Sequence, residues 1–228
     1  MISLTRVAMG QTNLVWRPGE VVAAASLKGQ QLSQCFTSSP ISDEVFSRIW
    51  LKSYKRDCTI PRDGLRYLRI LHVNKEGQPQ MGELICNKAI AADLLYIFRK
   101  LYDAGYRIER MVLVDEYGAD DQQSMSANNT SCFNFRRVSG STKLSNHSLG
   151  LAIDINPLVN PYVRTKAGKV EPASGKRYAT NRINRPNQPL RFIDRNDLCY
   201  KLFTERGFIW GGAWKVNIDY QHFEKKIR

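Results

Sequence analysis

Apolar positions recur along this chain with two different periods, and the period changes from segment to segment. Residues 65–73 and 80–86 alternate or run apolar in the manner of strands. The turn Asn74-Lys75-Glu76-Gly77 lies between them, so the two are expected to form a hairpin. From residue 88 to about 103 the period becomes helical, with Ile90, Leu94, Leu95, Ile97, Phe98 and Leu101 on one face. Asn87 is the expected cap of that helix and Ala104-Gly105-Tyr106 its end. A shorter helix is expected after Ser42, carrying Val45, Phe46, Ile49 and Trp50. Residues 110–114 read as a further strand, and 117–144 as a long polar loop. Residues 151–155 alternate again, with Leu151, Ile153 and Ile155 on one face and Ala152 and Asp154 on the other. Residues 156–189 read as an irregular surface insertion. A last helix is expected from an Asp194 cap to about Glu205, ended by Gly207. The pattern predicts an α+β domain with a small, mainly antiparallel sheet flanked by helices.

Residues 1–40 carry no comparable pattern, and are read as an N-terminal arm preceding one domain over 41–228. Val21 to Ala25 is too short for the core of a signal peptide, and Met1 is read as a start that replaced an export signal. No stretch approaches the roughly 20 apolar residues of a membrane span.

The chain has 228 residues, with 34 Lys and Arg against 21 Asp and Glu, a net charge of +13. Such an excess favours anionic partners. No motif that reads RNA or DNA accompanies it, so no nucleic-acid partner is expected. The basic residues concentrate in 164–191, read as a solvated loop by default and otherwise as a surface for an anionic polymer. The five cysteines are spread out without a C-x-x-C pair, and their odd number leaves at least one outside any internal disulfide. Bridges between Cys35 and Cys58 or between Cys58 and Cys86 both stay open. Of three histidines, His72 sits in a strand-like run and is read as structural.

The candidate chemistry lies in two segments. The first is Ser145-Asn146-His147-Ser148-Leu149-Gly150-Leu151-Ala152-Ile153-Asp154, the second Asp219-Tyr220-Gln221-His222-Phe223-Glu224. Two imidazoles and a carboxylate, His147, Asp154 and His222, suit a mononuclear zinc site with a fourth position left for water. Gly150 permits the tight turn that folds His147 back beside the strand carboxylate. Asp219 and His222 are three apart, which places them on opposite faces of a regular strand. The chain must therefore turn or bulge between them if both serve one site.

The order Ser-x-His-x-x-Gly-x-Ala-x-Asp followed by Asp-x-x-His-Phe-Glu resembles the zinc D-Ala-D-Ala carboxypeptidase family. That family includes the vancomycin-resistance D,D-peptidases and phage endolysin peptidases. The resemblance is strongest over 130–162 and 207–224 and weaker through 41–129. It implies the D-Ala-D-Ala peptidase fold shared with the hedgehog signalling domain, and a secreted or cell-envelope enzyme of bacteria that cuts peptidoglycan peptides. It implies Zn2+ on His147, Asp154 and His222, with Asp219 as general base and acid. Asp219 stands where the vancomycin-resistance dipeptidases use Glu, a departure shared with the endolysin branch. Phe133-Asn134-Phe135-Arg136 resembles the family's arginine-bearing stretch. Arg136 and Ser145 are accordingly expected to bind substrate, with Arg137 as the alternative arginine, and Glu224 to orient a ligand from behind. A D,D-carboxypeptidase is the leading expectation. An endopeptidase of the same family, cutting at L-Ala-D-Glu or in the cross-bridge, and a non-catalytic wall-binding module are the alternatives.

Overall fold

In a computed structural model the chain is described over residues 14–27, 30–138 and 141–227. The reading of Met1 as a replaced export signal falls outside the described residues. The elements run α1 (Gln30–Ser33), β1 (Phe36–Ser39), α2 (Asp43–Ile49), β2 (Leu65–Val73), β3 (Pro79–Asn87), α3 (Ala91–Asp103), α4 (Asp121–Ser126), β4 (Ala152–Asp154), β5 (Tyr162–Arg164), β6 (Lys169–Glu171), α5 (Leu198–Glu205), β7 (Ile209–Trp210), β8 (Ile218–Asp219) and β9 (His222–Glu224).

The β2–β3 hairpin forms as its pattern predicts, pairing Leu65 with Asn87 and Val73 with Pro79. β1 adds to its outer edge, giving the order β1-β2-β3. One face of this sheet receives α3, whose Leu94, Ile97, Phe98 and Leu101 are buried with Leu68, Ile70 and Leu84. The same core takes in Leu151, Ile153 and Ile155, the apolar face expected for β4, together with Phe203 of α5 and Phe223 of β9. Two smaller antiparallel sheets, β4-β9-β7 and β6-β5-β8, complete an α+β fold. Trp16, Val22 and Leu27, from the segment read as an arm, pack with Leu71 and Met81, and Phe36 to Ser39 pair with β2. No helix among the described residues is long and apolar enough to cross a membrane.

Several expectations are corrected. The helix expected from residue 88 starts at Ala91. Asn87 is held in the ladder opposite Leu65, where its Oδ1 accepts from the Ala89 N–H and its Nδ2 donates to the Leu149 carbonyl, so the chain does not coil until Ile90. Residues 110–114 form no strand. The Asn129 side chain binds both the N–H and the carbonyl of Val112, doing for this stretch what a neighbouring strand would do. The long polar loop contains α4, capped by Asp120 on the Gln123 N–H. The last helix is capped by Asp197, while Asp194 closes the turn before it on the N–H groups of Asn196 and Asp197.

The insertion over 156–189 is not simply irregular surface. It carries β5 and β6, and its Arg182 is half-buried, donating to the carbonyls of Val159 and Tyr178 and to Asn160 Oδ1. Its guanidinium also lies 3.8 Å from the Tyr220 ring centre. All five cysteines are free thiols, so neither open disulfide pairing forms. His72 is buried with Nδ1 2.8 Å from the Ile108 carbonyl, and burial pushes it down to about 4, a neutral structural histidine.

Candidate metal centre

His147 sits in the 3-10 turn Asn146–Leu149, whose first free N–H groups are met locally: Ser145 Oγ accepts from His147 N at 3.3 Å. Gly150 ends the turn at φ +63°, and a Cβ there would stand 2.6 Å from Asn87 N. Only glycine satisfies both the left-handed backbone and that contact. The chain then doubles into β4 and brings Asp154 under His147. Across the ladder, Asp154 pairs with His222, so the two side chains share a face.

Each imidazole is held by one nitrogen and aims the other inward. His147 Nδ1 is 2.6 Å from the Cys132 carbonyl, which requires the proton on Nδ1 and leaves the Nε2 lone pair bare. His222 Nε2 is 3.2 Å from Glu224 Oε2, which also accepts from Asn146 Nδ2 at 2.6 Å. Its Nδ1 is therefore the inward atom. The two inward nitrogens and the Asp154 carboxylate form a rough triangle, in which each nitrogen faces a different carboxylate oxygen. His147 Nε2 and His222 Nδ1 are 3.3 Å apart, His222 Nδ1 and Asp154 Oδ1 3.1 Å, and His147 Nε2 and Asp154 Oδ2 3.3 Å. An ion with tetrahedral bonds of about 2.0–2.1 Å holds its ligand atoms about 3.3 Å apart. The two nitrogens stand at that separation, and each has an Asp154 oxygen at a similar distance, so the cluster suits such an ion.

Residues 139–225, which carry all three ligand candidates, match the model of a family described as D-alanyl-D-alanine carboxypeptidase. This segment is similar to the D-alanyl-D-alanine carboxypeptidase family. No curated protein and no solved structure matches the chain. The matched segment begins just after Arg136, so the arginine-bearing stretch lies outside the match.

The charges of this cluster match a cation. Burial would raise Asp154, but the His147 and His222 imidazoles hold it well below the usual carboxylate range. Burial would lower His222, yet its hydrogen bonds with Asp154 and Glu224 outweigh this and lift it to about 10. Without metal, the three ligands therefore share a proton in the place where a cation fits.

Asp219 reaches the same cleft by a change of sheet. It ends β8, Tyr220 and Gln221 make the connection, and His222 opens β9 in another sheet. This is the turn that the three-residue spacing demanded. The cross-over is tight against Gly211, where a Cβ would stand 2.8 Å from the Asp219 carbonyl and 2.9 Å from its Cβ. Asp219 Oδ1 is buried and has no protein partner. Burial pushes Asp219 up to about 7, with His222 opposing and Asp154 adding to the rise.

The cleft has a volume of about 780 Å³ and is lined by the three ligand candidates, Asp219 and the expected substrate residues Arg136 and Ser145. Arg136 is fixed to the metal loop, since its N–H donates to Ser148 Oγ at 2.9 Å and its carbonyl accepts from Ser145 N at 3.0 Å. Its Nε pairs with Asp121. Arg137, the alternative, also reaches the cleft lining but spends a donor on the nearby Thr142 carbonyl. The sequence reading missed Tyr162, Arg164 and Glu171, which also line the cleft. A signal was present: Gly168, at φ +62°, divides the runs 162–164 and 169–171 as a hairpin turn does.

Proposed function

We propose that the protein is a zinc metallopeptidase that hydrolyses peptidoglycan stem peptides, acting as a D-alanyl-D-alanine carboxypeptidase of the bacterial cell envelope or its surroundings. The observation that carries this reading is the triangle of inward donor atoms with the unpartnered Asp219 oxygen in the same cleft. Two nitrogens and one carboxylate oxygen suit zinc among the common ions. His147, Asp154 and His222 would hold it, with the Cys132 carbonyl and Glu224 keeping the imidazoles in their tautomers. When bound, zinc supplies a Lewis acid that polarises a carbonyl and makes water acidic near neutral pH.

The chain's own residues then have distinct tasks. Asp219 Oδ1 accepts a proton from the attacking water and returns it to the amide nitrogen of the departing residue. Arg136 pairs with the terminal carboxylate of the peptide. Ser145 Oγ already accepts from His147 N, which leaves its hydroxyl proton for a substrate oxygen. The basic residues of 164–191 are the proposed contact with anionic wall polymers. This reading carries with it the D-Ala-D-Ala peptidase fold. Asp219 speaks against a non-catalytic binding module, which has no use for a base there.

One observation favours the endopeptidase as second reading: Asp121 already pairs with Arg136, so the cleft does not depend on a terminal carboxylate for neutrality. Mass spectrometry of defined muropeptides treated with the zinc-loaded protein, with and without chelator, separates the two. Release of free D-alanine supports the carboxypeptidase, internal fragments support the endopeptidase, and no cleavage removes both.

A further inference from the structure

Three arginines line the cleft, and two of them, Arg136 and Arg164, have a carboxylate close to Nε. Arg136 meets Asp121 through Nε. Arg164 meets Glu171 through Nε at 2.8 Å, with Nη2 3.5 Å from the second carboxylate oxygen. A guanidinium has five N–H donors in a flat fork, and a carboxylate on the Nε edge leaves the Nη1–Nη2 end open. Among the described residues, neither Nη1 has a protein partner. Neither Nε makes a hydrogen bond of good geometry, so each carboxylate neutralises its guanidinium by proximity and leaves Nη1 unoccupied.

The hairpin aims the second fork at the chemistry. Tyr162 is the ladder partner of Asp219, so their side chains share a face. Arg164 lies two residues further along β5, on that same face, with its guanidinium 5.4 Å from the Tyr162 ring centre. An ion pair that served only to staple β5 to β6 would contribute little and could stand in open solvent. This one lines the cleft beside Asp219, and both side chains are only 21% exposed.

We infer that the Arg164–Glu171 pair is a second carboxylate anchor, and that the cleft takes peptides bearing two carboxylates, one for the free end of each of these two arginines. That the ligand is a peptide rests on the peptidase reading above. The second carboxylate would belong to a side chain of the substrate, since a linear peptide has only one C-terminus. Glu171 is the positioning partner: its ion pair keeps Arg164 at the cleft and, with Asp121 beside Arg136, keeps an empty cleft from carrying two bare cations.

The test uses zinc-loaded protein and acyl peptides ending in D-Ala-D-Ala. The first, second or third residue before that unit carries a side-chain carboxylate, and each peptide has a carboxamide twin. At one position the acid should exceed its amide by about tenfold or more in kcat/KM, the scale of a charge-assisted hydrogen bond. Arg164→Gln should bring that ratio close to one, and Arg164→Lys should restore it in part. Equal handling of every acid and amide by the wild type overturns the inference, as does an acid preference that survives in Arg164→Gln. The wild-type comparison stands even if the variant fails to fold. If no peptide is cut, the peptidase reading fails, and calorimetric titration of the same pairs decides the carboxylate anchor independently.

Discussion

Glu224 stands directly behind His222, with Oε2 3.2 Å from Nε2, while Nδ1 of the same ring faces Asp154 at 3.1 Å. The ring is thus fixed from both ends, and its inward nitrogen completes the donor triangle. Carboxylates in this position commonly contribute about 10- to 100-fold to metal affinity. Glu224→Gln should weaken zinc binding by that order while leaving one zinc per chain at saturation. His222→Ala should lose the zinc altogether. Elemental analysis and competition with a chromophoric chelator measure both, and full zinc occupancy in His222→Ala would remove the triangle as the metal site.

Zinc affinity should fall as the pH falls. The metal-free His222 is raised to about 10 by its carboxylate partners, so at neutral pH its ring is protonated. A metal must displace that proton, and affinity then drops about tenfold for each unit of pH below 10, until other ligands begin to protonate. Calorimetry in buffers of different ionisation enthalpy should count one proton released per zinc near pH 8. An affinity that does not change between pH 6 and 9 would show that His222 enters binding already neutral.

Asp219→Asn keeps the shape of the side chain and removes the basic oxygen. General acid–base catalysis contributes about 100- to 10,000-fold, so turnover should fall by at least the lower figure. Zinc content should remain at one per chain. Asp219→Glu should keep part of the activity. Zinc stoichiometry and turnover are read on one preparation of Asp219→Asn. Near-normal turnover takes Asp219 out of the mechanism, and loss of zinc makes it a ligand instead.

Gly211→Ala should damage the site without touching any side chain that does chemistry. The added methyl group would lie 2.8 Å from the Asp219 carbonyl and 3.3 Å from His222 Cβ, so the β8–β9 connection must shift. Such overpacking costs about 1–3 kcal/mol, which for a chain of this size lowers Tm by several degrees. Gly105→Ala, away from the cleft, is the control. It has open space around it and only its φ of +65° to pay for, so turnover should be unaffected. Wild-type melting and turnover in Gly211→Ala would show that the crossing tolerates a side chain.

Much of this was legible in local spacing. The helical period of 90–101 predicted the face that α3 buries, and the Asn74–Gly77 turn predicted the β2–β3 hairpin. The metal candidates were legible for the same reason. His147, Gly150 and Asp154 lie within one turn and one strand, where backbone geometry alone brings them together. The spacing of Asp219 and His222 demanded a break between two strands, and the chain has one there.

What only the tertiary structure decided are the partners of these groups. Which nitrogen of each imidazole faces inward depends on Cys132, 15 residues before His147, and on Glu224 with Asn146, 78 residues apart. The Arg164–Glu171 fork enters the cleft only because β5 pairs with β8, some 55 residues further along the chain. Residues 110–114 have the composition of a strand and are denied a ladder by the side chain of Asn129. Periodicity records the conformation of a backbone segment, since neighbours along the chain set it. The partner of a buried polar group is set by whichever segment packing brings against it, and no repeat in the sequence records that choice.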